Sequence, residues 1–323
     1  MPVHIDLLDR KLLFELDRNS RQPHSQLAKK LHVAKGVINY RIKRLEDNGI
    51  LNGYYTVIDT TKLGYYHFRI YIKLKETPKR EKEELVKYLV ASERTWWVAL
   101  TTFPYDIAAI FIAKSLHEFN EIFKEFLKKY KQNLHSYKVK MYVELKHFFR
   151  DYILYEEYME NRKGMIVGEE ESVHLTGQEM GVLKELALNS RIGAVALAKK
   201  LKMSPITANS IIRRLGKNGV IKGFRILCDY SLLGYEYYWV HINVSNYEGG
   251  QKLAKLIAMF PQTVYLDETI GGSDIEFGVQ VKRDNGIQSL LTKIFDKFNE
   301  IIVDYDYFKV LENRKVLYMP RQP

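Results

Sequence analysis

Apolar residues recur at helical spacing from the start of the chain. Leu7, Leu8, Leu12, Leu13 and Leu16 form one stripe that closes near Asn19-Ser20, the 3.6-residue period of an amphipathic helix. A second helix is predicted over His24 to Leu31, with Leu27, Ala28 and Leu31 inward and Lys29-Lys30 outward. After the turn His32-Val33-Ala34, a third helix spans Lys35 to Asn48, burying Ile38, Ile42 and Leu45. Gly49 supplies its stop signal. Ile50 to Ile58 then has strand character with Gly53 in its turn, so this head reads as three short helices and a hairpin. Helix, short turn, helix and β-wing make a winged helix-turn-helix pattern.

Downstream the pattern changes to strands separated by helices. Strands are predicted near His67–Leu74, Thr95–Thr102, Tyr105–Ala113 and Val139–Leu145, and helices near Arg80–Ser92 and Leu116–Lys131. That βαββαβ order is the ferredoxin-like arrangement.

The chain then repeats itself. Asn19 to Tyr65 aligns with Asn189 to Tyr235 without a gap at an offset of about 170, with about 40% identity, a level that marks true repetition. Asn19-Ser20-Arg21 returns as Asn189-Ser190-Arg191, and Leu27-Ala28-Lys29-Lys30-Leu31 returns as Leu197-Ala198-Lys199-Lys200-Leu201. In the second copy Ser204-Pro205 supplies an N-cap and a proline at the first helical position. Its tail predicts strands near Tyr237–Val244, Thr263–Thr269, Ile275–Val281 and Asp304–Leu311, with helices near Gln251–Phe260 and Ile287–Glu300. Each copy is large enough for its own core. The expected fold class is α+β: two tandem copies of a winged helix-turn-helix followed by a ferredoxin-like βαββαβ domain. The expected boundaries are 1–58 and 59–147 for the first copy, 174–228 and 229–323 for the second, and 148–173 for a linker. The region from Lys146 to His174 reads as a short aromatic helix followed by a flexible acidic stretch.

Charge sharpens this picture. Residues 1–55 hold about 10 Lys/Arg against 6 Asp/Glu, and residues 174–229 about 10 against 3, whereas residues 230–323 are slightly acidic. Basic charge therefore gathers on the heads. The single cysteine, Cys228, excludes a disulfide framework and a cysteine-rich zinc site. The N-terminus lacks the apolar run of a signal peptide. The apolar stretch Trp96 to Ala113 is broken by Pro104 and Asp106 and reads as two buried strands, not a membrane span. The expectation is a cytoplasmic protein without a membrane partner. Its nine histidines are scattered, and no HxxxH, nucleophile elbow or Gly-rich phosphate loop occurs. No catalytic residue, metal site or cofactor is expected.

Each copy resembles the Lrp/AsnC (leucine-responsive, or feast/famine) transcription regulators over almost its whole length. The resemblance is carried by LAKKLHVAKGVINYRIKRLEDNGILNGYYTVID at Leu27–Asp59, by LAKKLKMSPITANSIIRRLGKNGVIKGFRILCD at Leu197–Asp229, and by the LGY and Gly-x-x-Asp segments that follow. It implies a sequence-specific transcriptional regulator with DNA-binding heads, and tails that dimerise and bind a small-molecule effector such as an amino acid. The partners it implies are double-stranded DNA and a second copy of the fold, supplied within the chain as a pseudo-dimer or by another chain as a homo-oligomer. The tandem itself departs from the usual single-copy form. So do Lys35-Gly36, where the family favours Ser-Pro, and Ile211, where the family has the arginine seen at Arg41.

The third helix of each head offers the candidate DNA-reading residues. These are Lys35, Asn39, Tyr40 and Lys43 in the first copy, and Thr207, Asn209, Ser210 and Arg213 in the second. Asn reads adenine bidentately, Arg and Lys reach guanine, and a Thr methyl meets the thymine methyl. Arg44 and Arg214, with Lys29, Lys30, Lys199 and Lys200, are expected on phosphates. The alternative for this face is a solvated helix surface. Asp106, Gly271, Gly272 and Asp274 are candidate effector residues, because glycines permit close approach to backbone; the competing role is an Asp that holds its own turn. His67 and His241 fall on first tail strands and are expected to pack or to lie at the surface. Siroheme decarboxylases resemble the same family and include two-copy fusions. Their Arg/His-rich stretch is reduced here to TKLGYYHFRIYIKL, with only His67 and Arg69 suggestive, so this enzyme stands as the alternative function.

Overall fold

The computed structural model describes residues 5–168 and 172–319 of the 323-residue chain. The first head comprises α1 (Leu7–Arg18), α2 (His24–Leu31), α3 (Lys35–Asp47) and β1 (Leu51–Ile58). Its tail comprises β2 (Tyr66–Leu74), α4 (Lys79–Ala91), β3 (Thr95–Thr101), β4 (Ile107–Ala113), α5 (Leu116–Tyr130) and β5 (Leu134–His147). After β6 (Met165–Val167) the second copy repeats the order. Its head is α6 (Gly177–Leu188), α7 (Ala194–Leu201), α8 (Pro205–Lys217) and β7 (Ile221–Cys228). Its tail is β8 (Tyr235–Val244), α9 (Tyr247–Met259), β9 (Thr263–Ile270), β10 (Ile275–Lys282), α10 (Gly286–Phe298) and β11 (Ile302–Val316).

The heads start where capping chemistry allows. Asp6 accepts from the backbone of Asp9 while Asp9 accepts from that of Asp6, and Thr176 with Glu179 repeats this capping box at α6. Ser204 caps α8, which begins on Pro205. Gly49 and Gly219 follow α3 and α8 at φ of 70°, the left-handed conformation that ends a helix at least cost.

The wing departs from the expected hairpin. Each head contributes one continuous strand, and β1 pairs antiparallel with β7 of the other copy, from Leu51 opposite Cys228 to Ile58 opposite Ile221. Gly53 is a bulge in this ribbon, not a turn, because the register shifts between Leu51 and Gly53. Eight residues folded on themselves would leave two arms too short to pair; a second strand of similar sequence in the same chain partners Leu51 and every residue from Gly53 to Ile58. The ribbon continues at both ends, with Asp59 N–H donating to Val220 O and Asp229 N–H donating to Ile50 O.

The tails pair with each other inside the one chain. Strand order is β5-β2-β4-β3 in the first tail and β11-β8-β10-β9 in the second, and the β3–β11 and β9–β5 pairings join them. Eight strands, antiparallel throughout, therefore close into a ring with no free edge. The long last strands make this closure. β11 pairs with β8 over its first half and with β3 over its second. Helices α4 and α5 cover one outer face through Phe68, Ile70 and Ile72, and α9 and α10 cover the other through Val240, Ile242 and Phe277. The alternate residues of β2 and β8 face inward and join one core with both heads.

The segment between the copies also departs from expectation. The aromatic stretch yields only a single 3-10 turn, Asp151–Ile153. Phe148, Tyr152 and Ile153 are buried, and β6 adds to β5. The many large apolar side chains there are burying themselves in the inter-copy core, which suppresses both a solvated helix and a loose tether. Glu169, Glu170 and Glu171, the acidic part of that stretch, lie outside the described residues. No described helix is long and apolar enough to cross a membrane.

Candidate nucleic-acid interface and the barrel interior

The two third helices bury Ile38, Ile42 and Leu45, and Ala208, Ile211 and Leu215, against their heads. This leaves Lys35, Asn39, Tyr40 and Lys43 exposed on α3 and Thr207, Asn209, Ser210 and Arg213 exposed on α8. Tyr40, two-thirds exposed at 66%, presents an aromatic ring to solvent beside Lys43. Asn39 Oδ1 meets His24 Nδ1, and Thr207 Oγ1 lies 2.8 Å from the Ser204 hydroxyl. Lys43 and Arg213, pseudo-equivalent at an offset of 170, make no ion pair among the described residues.

Arg44 and Arg214 are placed differently. Arg44 donates to Asp9, and Arg214 Nε donates to Glu179 Oε1 at 2.8 Å, so each ties the third helix to the first. Arg41 joins the first cluster, reaching Asp6 at 2.7 Å and Asp9 at 2.9 Å, and holds the Asp6 carboxyl down near 2 by hydrogen bonding. Ile211 replaces it in the second copy as a buried apolar residue. The departure from symmetry at that position is thus a salt-bridge cluster exchanged for core. Lys30 pairs with Glu15 at 2.6 Å, and Lys200 with Glu185 at 2.7 Å; Lys29 and Lys199 are exposed.

The repeated Asn-Ser-Arg triplet is where the heads meet. The Ser20 and Ser190 hydroxyls hydrogen bond at 2.8 Å, on the pseudo-twofold axis. Arg191 Nη1 donates to Ser20 O at 2.7 Å, and Arg21 Nη1 donates to Ser190 O and to Ile192 O. The sequence displayed this triplet twice without revealing that its copies touch.

Asp106 and Asp274 sit at matching tail turns. Asp106 Oδ2 accepts from Leu74 N–H at 2.9 Å and lies 3.2 Å from Lys73 Nζ; Asp274 Oδ2 accepts from Val244 N–H at 2.8 Å. Each carboxylate holds the end of its tail's first strand. Gly271 takes φ of 80°, and a Cβ on Gly272 would clash with Thr269 Oγ1 and Glu276 Oε1. The close approach at Gly272 is therefore made by the protein's own side chains.

The barrel interior gathers polar residues of which only His67, Arg69 and His241 stood out in the sequence. His67, Arg69 and Tyr71 of β2 face inward opposite Tyr237, Trp239 and His241 of β8. Arg69 lies 3.1 Å from Asp267, and Lys140 pairs with Glu276. The signal available was the alternation within HFRIYI, whose odd-numbered positions are polar or aromatic. His67 and His241 are both buried, so of the two expected placements packing is the one found. Burial pushes the His67 imidazole down to about 4.

A histidine held neutral in the folded state favours folding above its unfolded pKa near 6.5 and withdraws that stability on acidification. Stability should fall by roughly 3 kcal/mol between pH 6.5 and 4 on account of His67 alone. Urea melts across this range should show it, and the His67→Gln variant should have a shallower acid limb.

The winged helix-turn-helix DNA-binding family description matches residues 5–52 and 175–222. A helix-turn-helix-type transcriptional regulator of Pyrococcus furiosus is 36% identical over 125 residues, covering 39% of this chain and 83% of the relative. The regulatory protein AsnC of Haemophilus influenzae is 28% identical over 119 residues, covering 37% of this chain and 79% of its own. Each aligned stretch is no longer than one copy. Across the tandem, the siroheme decarboxylase NirDL matches with a TM-score of 0.62 and 15% identity, covering 98% of this chain and 94% of that one. At that identity the likeness is one of fold.

Proposed function

The chain belongs to the Lrp/AsnC family of helix-turn-helix transcription regulators, and from this premise we propose that it is a sequence-specific DNA-binding regulator, not an enzyme, that reads an imperfect palindrome with both heads. The observation that carries the reading is the pair of exposed third-helix faces, where Lys43 and Arg213 make no ion pair among the described residues while Arg41, Arg44 and Arg214 are drawn into them. Residues 35, 39, 40 and 43 would contact one half-site, and residues 207, 209, 210 and 213 the other. Because the two faces share only Asn39 and Asn209, their half-sites should differ.

The ribbon and the Ser20–Ser190 contact would set half-site separation near one helical turn or a multiple of it. Double replacement of Arg21 and Arg191 by alanine should leave each head folded but widen the tolerated spacing. Binding to duplexes with one to five inserted base pairs checks this; unchanged spacing preference would assign it to the ribbon alone.

The second reading, a siroheme decarboxylase, is supported by the full-length likeness to NirDL and by the buried placement of His67 and Arg69. Incubation with siroheme separates the two: a stable shift of its visible spectrum on binding, with loss of carboxylates as carbon dioxide, would favour the enzyme.

A further inference from the structure

The barrel does not repeat its interior as faithfully as its backbone. In the matched strand registers Arg69 answers to Trp239 and Asp267 answers to Ala99. One side of the pseudo-twofold thus carries an ion pair, Arg69–Asp267, where the other carries an indole and a methyl group. Beside this asymmetric wall lies a cavity of about 500 Å³, roofed by the β1–β7 ribbon through Tyr55 and Leu227. All three tryptophans of the chain, Trp96, Trp97 and Trp239, line it.

This space is too large to be a packing defect. Protein interiors hold few voids bigger than a water molecule, whereas small-molecule pockets run from about 300 to 1,000 Å³. Its walls also hold polar groups that the protein leaves unpaired. Among the described residues Trp96 Nε1, Trp239 Nε1 and Arg69 Nε are buried donors without a hydrogen-bond partner, and His147 Nε2 is a buried ring nitrogen without one. Such groups gather where something other than the protein satisfies them. Three of the four are donors only, so the complementary ligand is rich in acceptors. The Arg69 guanidinium lies 3.9 Å from the centroid of the Trp239 ring, a cation stacked on an aromatic face.

We propose that this cavity binds one planar aromatic carboxylic acid of one or two rings per chain. The ring would lie among the indoles and Tyr55, and the carboxylate would turn toward Arg69 and the indole N–H groups. The stoichiometry follows from the broken symmetry, because only one of the two pseudo-equivalent positions bears an arginine. The site stands independently of the DNA-reading proposal, although the ribbon that roofs it also joins the two heads.

The test is calorimetric titration of the intact chain with benzoate, 2-naphthoate and indole-3-carboxylate, beside cyclohexanecarboxylate and 2-naphthalenemethanol. Saturable binding of at least one aromatic acid at one per chain is expected, with both controls at least about tenfold weaker, the value of a charge-assisted hydrogen bond or a stacked ring. Trp239→Phe keeps the ring and removes one donor, and should weaken binding about fivefold to tenfold. Leu227→Phe should block the cavity; a thermal melt like that of the parent chain confirms that it folds. No saturable binding by any of the three acids up to about 10 mM, beyond the millimolar range of weak specific complexes, overturns the proposal. So does binding that is equally tight in Leu227→Phe or that proceeds at two per chain. DNA binding by the unliganded chain, measured separately, is unaffected by any of these outcomes and fails only if the regulator reading fails.

Discussion

Replacement of Asp17 by alanine is expected to lower the unfolding free energy by about 3–5 kcal/mol, the cost of stripping the partner from buried charge. Asp17 is buried on α1 and receives two cations. Arg150 Nη1 donates to it at 2.6 Å and Arg150 N–H at 2.8 Å, while Arg225 Nη2 donates at 2.5 Å. Arg150 comes from the inter-copy segment and Arg225 from β7 of the second copy, so one carboxylate joins three distant parts of the chain. Both guanidiniums are themselves buried and would be left uncompensated. The pseudo-equivalent residues are Ala187 and Tyr55, an apolar solution to the same position. Arg225→Tyr should therefore recover part of the loss when combined with Asp17→Ala, giving a coupling term well outside additivity. The two arginines hold the Asp17 carboxyl below its usual range despite burial. A carboxylate depressed in this way stabilises the fold above its unfolded pKa near 4 and loses that effect as pH falls through the folded value. Urea melts should thus show the variant's deficit in full at pH 7 and shrinking in strong acid.

Arg213→Ala is expected to reduce affinity for the preferred duplex about fivefold to 150-fold, the range for one bidentate base contact. Arg213 is exposed on α8 and free of intramolecular ion pairs among the described residues. Its removal should relax sequence preference in one half-site and leave the thermal midpoint unchanged. Arg214→Ala makes the informative comparison. Its guanidinium is engaged by Glu179, so its loss should loosen the head and weaken binding without altering preference. Fluorescence anisotropy at fixed salt, with matched and half-site-mutated duplexes, distinguishes the two, since salt alone shifts such affinities by orders of magnitude.

Much of this architecture was legible in the sequence because local signals agreed. The helical stripes, the glycines after α3 and α8, and the alternating tail strands each identified an element, but the last strands β5 and β11, of 14 and 15 residues, run about twice as long as expected because each pairs on into the other copy. Pairing of the tails within the chain was one of the two arrangements the resemblance implied, but pairing of the wings between copies was not legible. Nothing in Leu51–Ile58 distinguishes a strand that folds on itself from one that pairs with Ile221–Cys228, because both bury the same alternation. The inter-copy aromatics misled for a related reason: Tyr152 and Ile153 gain more from the shared core, and Phe148 from the core under α9 and α10, than from a helix of their own. At the DNA face, burial follows the predicted helical face, but the diversion of Arg44 and Arg214 into ion pairs with Asp9 and Glu179 depends on partners 35 residues away. The barrel interior was the least visible part. Arg69 and Asp267 are separated by most of the chain, and only ring closure brings them together.

Selection from random duplex DNA, with the purified chain and its Lys43→Ala and Arg213→Ala variants, decides whether the two heads read two different half-sites. An enriched two-part site is expected, with each variant altering a different half. Selection that yields no common sequence, with binding that responds only to salt, would contradict it.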